Sequence, residues 1–426
     1  MFGGAAVSTI ALLWKIGFIL IPLITIPIAF HLWLLYNRRR TIAEMDWIVL
    51  QIIPPQEVHR SPVAMELVLN AMTDTGGTQT WYRRWVQGKV RSWYSLEITS
   101  IEGSIYFFVR AERKFKDFIT SQFYSQYPNA QIREVDDYTR YIPVYQRGGD
   151  WDMLGFEMAP LAPSVYPIKS YVDYGMEESL GADPEQRIDP MSPILEALSI
   201  FGKHEQAWIQ FIFRPAVKKR DPHAPWWTFG LKKRSWDKEA EEEMDKFQID
   251  SMKKNMKVLQ AVDPNRQWAT VSLTDGQKTV LKALGRNSSK QPYDFAGRVL
   301  YLAKKGYMKG ERFGMLINMF RAFGGDGLNG FKPNNDTSAK YPWDDPTGNR
   351  VETWKEEMFY EYVNRMWFHV RRRTFSDRKD SRKDTVLTSE EIASLWHLPS
   401  TTVTSPTLER VGSITAQAPG NLPMGE

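Results

Sequence analysis

Three kinds of hydrophobic pattern follow one another along this chain, and their order predicts its elements. The first is an unbroken apolar run, Ile16 to Tyr36, "IGFILIPLITIPIAFHLWLLY", without a Lys, Arg, Asp or Glu. At about 1.5 Å per residue such a helix reaches across a hydrocarbon layer of roughly 30 Å. Pro22 and Pro27 lie inside it, which a spanning helix tolerates. Trp33 and Tyr36 stand where interfacial aromatics belong, and Arg38, Arg39 and Arg40 follow at once. A signal peptide carries its bases before the apolar run, and a core helix this uniformly apolar is unusual at a terminus. The run predicts a single-pass anchor over 1–40, with Arg38, Arg39 and Arg40 beside the lipid headgroups. No charge precedes Lys15, so the positive-inside rule puts the N-terminus outside and the rest in the cytoplasm, at an inner membrane.

The second pattern is a set of short apolar or alternating runs separated by helical stripes. "WIVLQII" (47–53), stopped by Pro54 and Pro55, reads as a strand buried on both faces. "SPVAMELVLNAM" begins with Ser61 and Pro62 and puts Ala64, Leu67, Val68, Ala71 and Met72 on one helical face. "SWYSLEITS" alternates, and "SIYFFVR" (104–110) is a second central strand. Phe115, Phe118, Ile119 and Phe123 mark a helix, and "AQIREV" a polar edge strand. This is the β-α-β-β-α-β order of a ferredoxin-like domain over 41–150. A second, weaker copy occupies 151–385. Its strands are "SVYPIKSYV" (164–172), "QAWIQFIFR" (206–214) and "FAGRVLYLAKK" (295–305), with no fourth strand that can be placed. Its helices are "SPILEALSIFG" and "ERFGMLINMFRAF", and a charged helix is inserted between strands. The predicted fold class is α+β: a transmembrane helix, two ferredoxin-like domains, the second elaborated by that insertion, and a flexible tail.

The third pattern is the tail, 386–426. Thr388 and Glu391 form a capping box before a short amphipathic helix, whose Ile392, Leu395, Trp396 and Leu398 offer a hydrophobic docking stripe. From Ser400 onward the composition is that of a Ser/Thr/Pro/Gly linker.

Composition narrows the chemistry. There is no cysteine, which excludes disulfides and thiolate metal sites, and the six histidines are scattered. No nucleophile–base or isolated paired-carboxylate spacing stands out, so no catalytic residue, cofactor or metal is assigned. The stretch "FGGDGLNGFKP" approaches a phosphate-binding loop. Its glycines follow a helix, however, and Pro333 stands where a Ser or Thr should hold magnesium. It reads as a helix stop and loop.

Net charge is +5, with the excess bunched. Lys218, Lys219, Arg220, Lys232, Lys233 and Arg234 surround Trp226 and Trp227, a mixture suited to single-stranded nucleic acid, to lipid headgroups, or to a solvated loop over packed tryptophans. "MWFHVRRRTFSDRKDSRKD" (366–384) is denser, but its aspartates offset the charge, and its cations suit the C-terminus of the preceding helix.

As a set, several stretches resemble the membrane-anchored N-terminal half of conjugation-type ATPases, the coupling-protein-like and HerA-like motors of bacterial type IV secretion and DNA transfer. They are "WLLYNRRRTIAEMDWIVLQIIPP", "WYSLEITSIEGSIYFFVR", "SQFYSQYPNAQIREVDDY", "FGGDGLNGFKP" and "LTSEEIASLWHLPSTTVTSPTLERV". In that family the Pro-rich segment leads into a RecA-like motor, which this sequence lacks. The resemblance implies a non-enzymatic scaffold that recruits a separate, hexameric P-loop ATPase at the membrane. DNA and a second copy of the chain are further candidate partners. The alternative is a membrane-anchored nucleic-acid-binding protein acting without a motor.

Overall fold

The computed structural model describes residues 2–56, 58, 60–73, 80–140, 145–177, 188–216, 236–262, 272–339, 341, 343–368, 385–400 and 408–410. Their centre is a nine-stranded antiparallel sheet. The strands are β1 (Trp47–Ile53), β2 (Tyr94–Ile101), β3 (Ser104–Glu112), β4 (Gln131–Val135), β5 (Trp151–Pro160), β6 (Glu205–Pro215), β7 (Pro292–Lys304), β8 (Phe331–Asn334) and β9 (Thr385–Thr388). Their order across the sheet is β4-β1-β3-β2-β6-β7-β5-β8, with β9 added to the free half of β7.

Turn chemistry fixes the register where it matters. β2 and β3 are joined by Glu102 and Gly103, both at positive φ, the two-residue hairpin that follows the strand twist. A side chain at Gly103 would lie 2.7 Å from the Phe201 carbonyl oxygen, so only glycine fits there.

The helices are α1 (Phe2–Ala43), α2 (Val63–Met72), α3 (Trp81–Trp85), α4 (Lys116–Gln126), α5 (Ser192–Ser199), α6 (Trp236–Val262), α7 (Asp275–Ser289), α8 (Gly310–Asn318), α9 (Asn349–Val363) and α10 (Ser389–Leu395). Because side chains alternate along a strand, the sheet has two apolar faces. One carries Leu96, Phe107, Ile209 and Val299 and is covered by α2, α4, α5, α8 and α10. The other carries Val49, Phe108, Trp208 and Leu300 and receives Met358, Phe359 and Tyr362 of α9 with Tyr138 and Tyr145.

Two expectations of fold class are corrected. The first is the pair of ferredoxin-like domains. The chain forms one continuous sheet instead, because β2 pairs along its whole length with β6 as well as with β3. A strand buried from Tyr94 to Ser100 leaves no free edge at which one domain could end. The second unit also differs in detail. Its first strand is β5, not Ser164–Val172, which runs as turns, and β8 is the strand that the pattern leaves unplaced.

The second correction concerns the membrane. Among the described residues no helix is long and apolar enough to cross a membrane. The side chains of residues 1–13, 15–16 and 19–20 lie outside the description. The single-pass anchor, the transmembrane helix and the inner-membrane location are therefore withdrawn.

Candidate functional site

The residues singled out by sequence fall in three places. Lys218, Lys219, Arg220, Trp226, Trp227, Lys232, Lys233 and Arg234 lie outside the described residues. Arg38, Arg39 and Arg40 occupy the last turns of α1, where Arg38 stands over the Trp85 ring and Arg40 pairs with Glu44. Ile392, Leu395, Trp396 and Leu398 are buried, so the expected docking stripe is corrected to a piece of core. The reason is packing on every side: the whole of α10, Ser389 to Leu395, is covered, and Trp396 meets Phe107 and Phe123 edge-on. The indole N–H of Trp396 donates to the backbone carbonyl of Glu97.

What the structure brings together instead is a row of polar side chains crossing the sheet. Glu97 of β2 lies opposite Gln210 of β6, Gln210 opposite Arg298 of β7, and Arg298 opposite Glu157 of β5. All four are buried. Gln210 donates to Glu97 at 3.1 Å, and Arg298 reaches Glu157 at 3.4 Å. The end of α9 closes over the row. Glu361 accepts from Arg298 at 2.8 Å, and Trp367 covers the Arg298 guanidinium at 4.9 Å. Arg365 forks onto both oxygens of Glu97, at 2.9 and 3.0 Å, and also binds Asp137. Arg365 holds a left-handed backbone at φ 50, which turns the chain off the helix and aims the guanidinium at the sheet.

Charge settles what this row can do. Burial would raise the carboxyls of Glu97 and Asp137, but Arg365 outweighs it and holds both below the usual range. Burial, with Glu97 nearby, drives the Tyr138 and Tyr362 phenols up, so both stay protonated. Fixed ion pairs of this kind hold elements together and exchange no proton at neutral pH. The row was open to sequence reading in one respect: each strand carries a single long polar residue inside an apolar run, as in "SLEIT", "WIQFIF", "AGRVL" and "GFEMA".

A second polar cluster fastens the segment from Thr385 to Leu398. Glu66 of α2 accepts from Tyr171 and Ser389 and pairs with Lys290 at 2.8 Å. Glu390 accepts from Ser170 and pairs with Arg286 at 3.0 Å. Glu391 accepts from the backbone N–H groups of Thr388 and Ile168, and from the Thr388 hydroxyl, completing the capping box. Burial pushes the Glu391 carboxyl up to about 7, against those donors, which favour its charged form. Elsewhere an open groove of about 500 Å³ lies between α6 and α7, lined by Tyr166, Phe247, Val280 and Gly327. Gly327 belongs to the glycine-rich stretch, which forms the loop into β8. Among the described residues, no group of three or more His, Asp or Glu could hold a metal ion.

A family model described as "Domain of unknown function (DUF8128)" matches residues 41–410, and the chain belongs to that family. No curated protein matches it. The family carries no assigned function, and neither comparison ties the chain to type IV secretion or conjugation.

Two outcomes follow from the geometry. Arg365→Met should cost roughly 3–5 kcal/mol in urea unfolding, because Glu97 is left as an uncompensated buried charge. Glu97→Gln combined with it should recover part of that loss; no recovery would show that the pair is not the source. Glu391 has a folded-state pKa above its unfolded value of about 4.3. Its stabilising contribution is therefore fully present below about pH 4.3 and lost as pH rises through about 7. Urea unfolding from about pH 5 to about pH 8 should show a decline of roughly 3 kcal/mol that Glu391→Gln largely lacks. Superimposable profiles would contradict that reading.

Proposed function

We propose that this member of the DUF8128 family is a non-enzymatic scaffold that docks a separate P-loop ATPase of the HerA-like or coupling-protein-like kind. The observation that carries the reading is the course of the segment "LTSEEIASLWHLPS", which in the resembling motors leads toward the ATPase domain. Here β9 extends the sheet along β7, and α10 and Trp396 are built into the core. Leu408 then bridges to Ile105, Glu409 meets Gln51, and Arg410 reaches the carbonyl of Gln56. The chain around 408–410 is thereby fixed beside β1 and β3. A partner engaged there would be held rigidly against the sheet.

The ion pairs of the polar row support the reading by making the frame rigid: Glu97, Asp137, Arg298, Arg365, Glu157 and Glu361 are occupied with one another.

The test is affinity purification of the tagged full chain from its native host under gentle conditions, followed by identification of co-purifying proteins. A hexameric P-loop ATPase should accompany it, and the chain alone should hydrolyse no ATP. Recovery without any such ATPase, or ATP hydrolysis by the purified chain, would overturn the proposal.

A further inference from the structure

Arg38, Arg39 and Arg40 were introduced as part of an anchor that the structure does not support, which leaves their chemistry unexplained. The end of α1 has two sides. Leu34 and Thr41 are buried, and Ile42 and Met45 pack against Trp93 and Trp367. The opposite side presents Trp33, Tyr36, Arg39 and Arg40 to solvent. Trp33, Tyr36 and Arg40 follow helical i, i+3 and i+7 spacing and form one stripe.

A second element completes the surface. After α3 the chain turns at Gly88, with φ +66, and comes so close to α1 that a Cβ there would lie 2.7 Å from Asn37 Cβ and 2.9 Å from the Arg38 nitrogen. Gly88 and Trp85 thus bring the α3–β2 turn against the last turns of α1, and Tyr82, Arg83 and Lys89 of that turn are exposed. The turn is held by Thr80, which caps α3, and by the Lys89 N–H donating to the Arg83 carbonyl at 2.9 Å. Underneath, Trp85 is buried against Arg38.

The local charge is one-sided. Residues 80–91 contain no Asp or Glu, and of the two acids just past Arg40, Glu44 pairs with Arg40 and Asp46 with Arg113. Cations at the end of α1 also suit its dipole, but that does not account for Arg83 and Lys89, which come from a different element.

We propose that the surface made by the last turns of α1 and the α3–β2 turn binds single-stranded nucleic acid. Arg39, Arg83 and Lys89 meet the phosphates, while Tyr36 and Tyr82, 65% and 55% exposed, offer faces on which bases stack. Exposed aromatics between bases distinguish this surface from one made only for point charges: stacking tolerates any sequence, and phosphate pairing supplies most of the affinity. The inference is independent of the ATPase partner, since it rests on residues remote in sequence from the C-terminal segment.

The test uses the full chain and a fluorescently labelled oligothymidylate, read by anisotropy. With about three phosphates neutralised, log affinity should fall with log salt at a slope near −2. Between about 50 and about 200 mM salt that is a loss of roughly 20-fold. Arg39→Glu, Arg83→Glu and Lys89→Glu together should weaken binding at least about tenfold, and Tyr36→Ala with Tyr82→Ala should weaken it at unchanged salt slope. All five positions are solvent-facing, and matching thermal melts check that the fold is kept.

Four results would overturn the proposal. One is no binding at low salt. Another is binding unmoved by the triple charge reversal but abolished by reversing Lys218, Lys219, Lys232 and Lys233. A third is tyrosine variants with wild-type affinity. The last is association with phosphatidylserine vesicles and none with the oligonucleotide.

Discussion

The fork of Arg365 on Glu97 is the contact around which the molecule is organised. Glu97 sits on β2, the strand at which the two halves of the sheet meet, and its carboxylate has no water to turn to. A buried carboxylate in that position requires a cation with matching geometry, and the planar guanidinium supplies two parallel hydrogen bonds. That demand fixes the end of α9, and through Glu361 and Arg298 it fixes β7 and β5 as well. The energy of such a network is delicate, because desolvation opposes the Coulomb term. Its consequence is specificity: a slip of one residue in the β2–β6 pairing would put Glu97 and Gln210 on opposite faces and turn one of them into an apolar layer.

The second constraint is closure by the C-terminal segment. Without this segment Trp396 would be missing from its place against Phe107 and Phe123, and Glu66 would lose Ser389 as a donor. Glu97 connects the two constraints, since its side chain holds Arg365 while its backbone carbonyl receives Trp396. The segment Thr385 to Leu398 is thus an interior element, and residues 408–410 lie beside β1 and β3.

Much of the local structure is legible in the sequence. The strands Trp47–Ile53 and Ser104–Glu112, the Ser-Pro helix starts, the capping box at Thr388 and the helical insertion all follow from pattern and cap chemistry. The fold class does not follow, because a strand buried on both faces says nothing about which neighbour occupies its edge; β2 could be completed within its own unit or, as here, by β6. β5 was obscured by Gly155, whose absent side chain makes room for Leu300 and Met358. The apolar stripe of α10 was visible, yet its burial was not, since Ser389, Glu390 and Glu391 read as solvent-facing until their partners on α2 and in the 168–171 turn are known. The basic surface beside Gly88 joins segments some fifty residues apart, a proximity that no spacing reveals.

Hydrogen exchange of the full chain in increasing urea tests most directly whether the polar row makes one unit of the two halves. The predicted result is that amides of β1–β4 and of β5–β8 lose protection together, in a single cooperative opening. Loss of protection in one half at a urea concentration that leaves the other intact would contradict it.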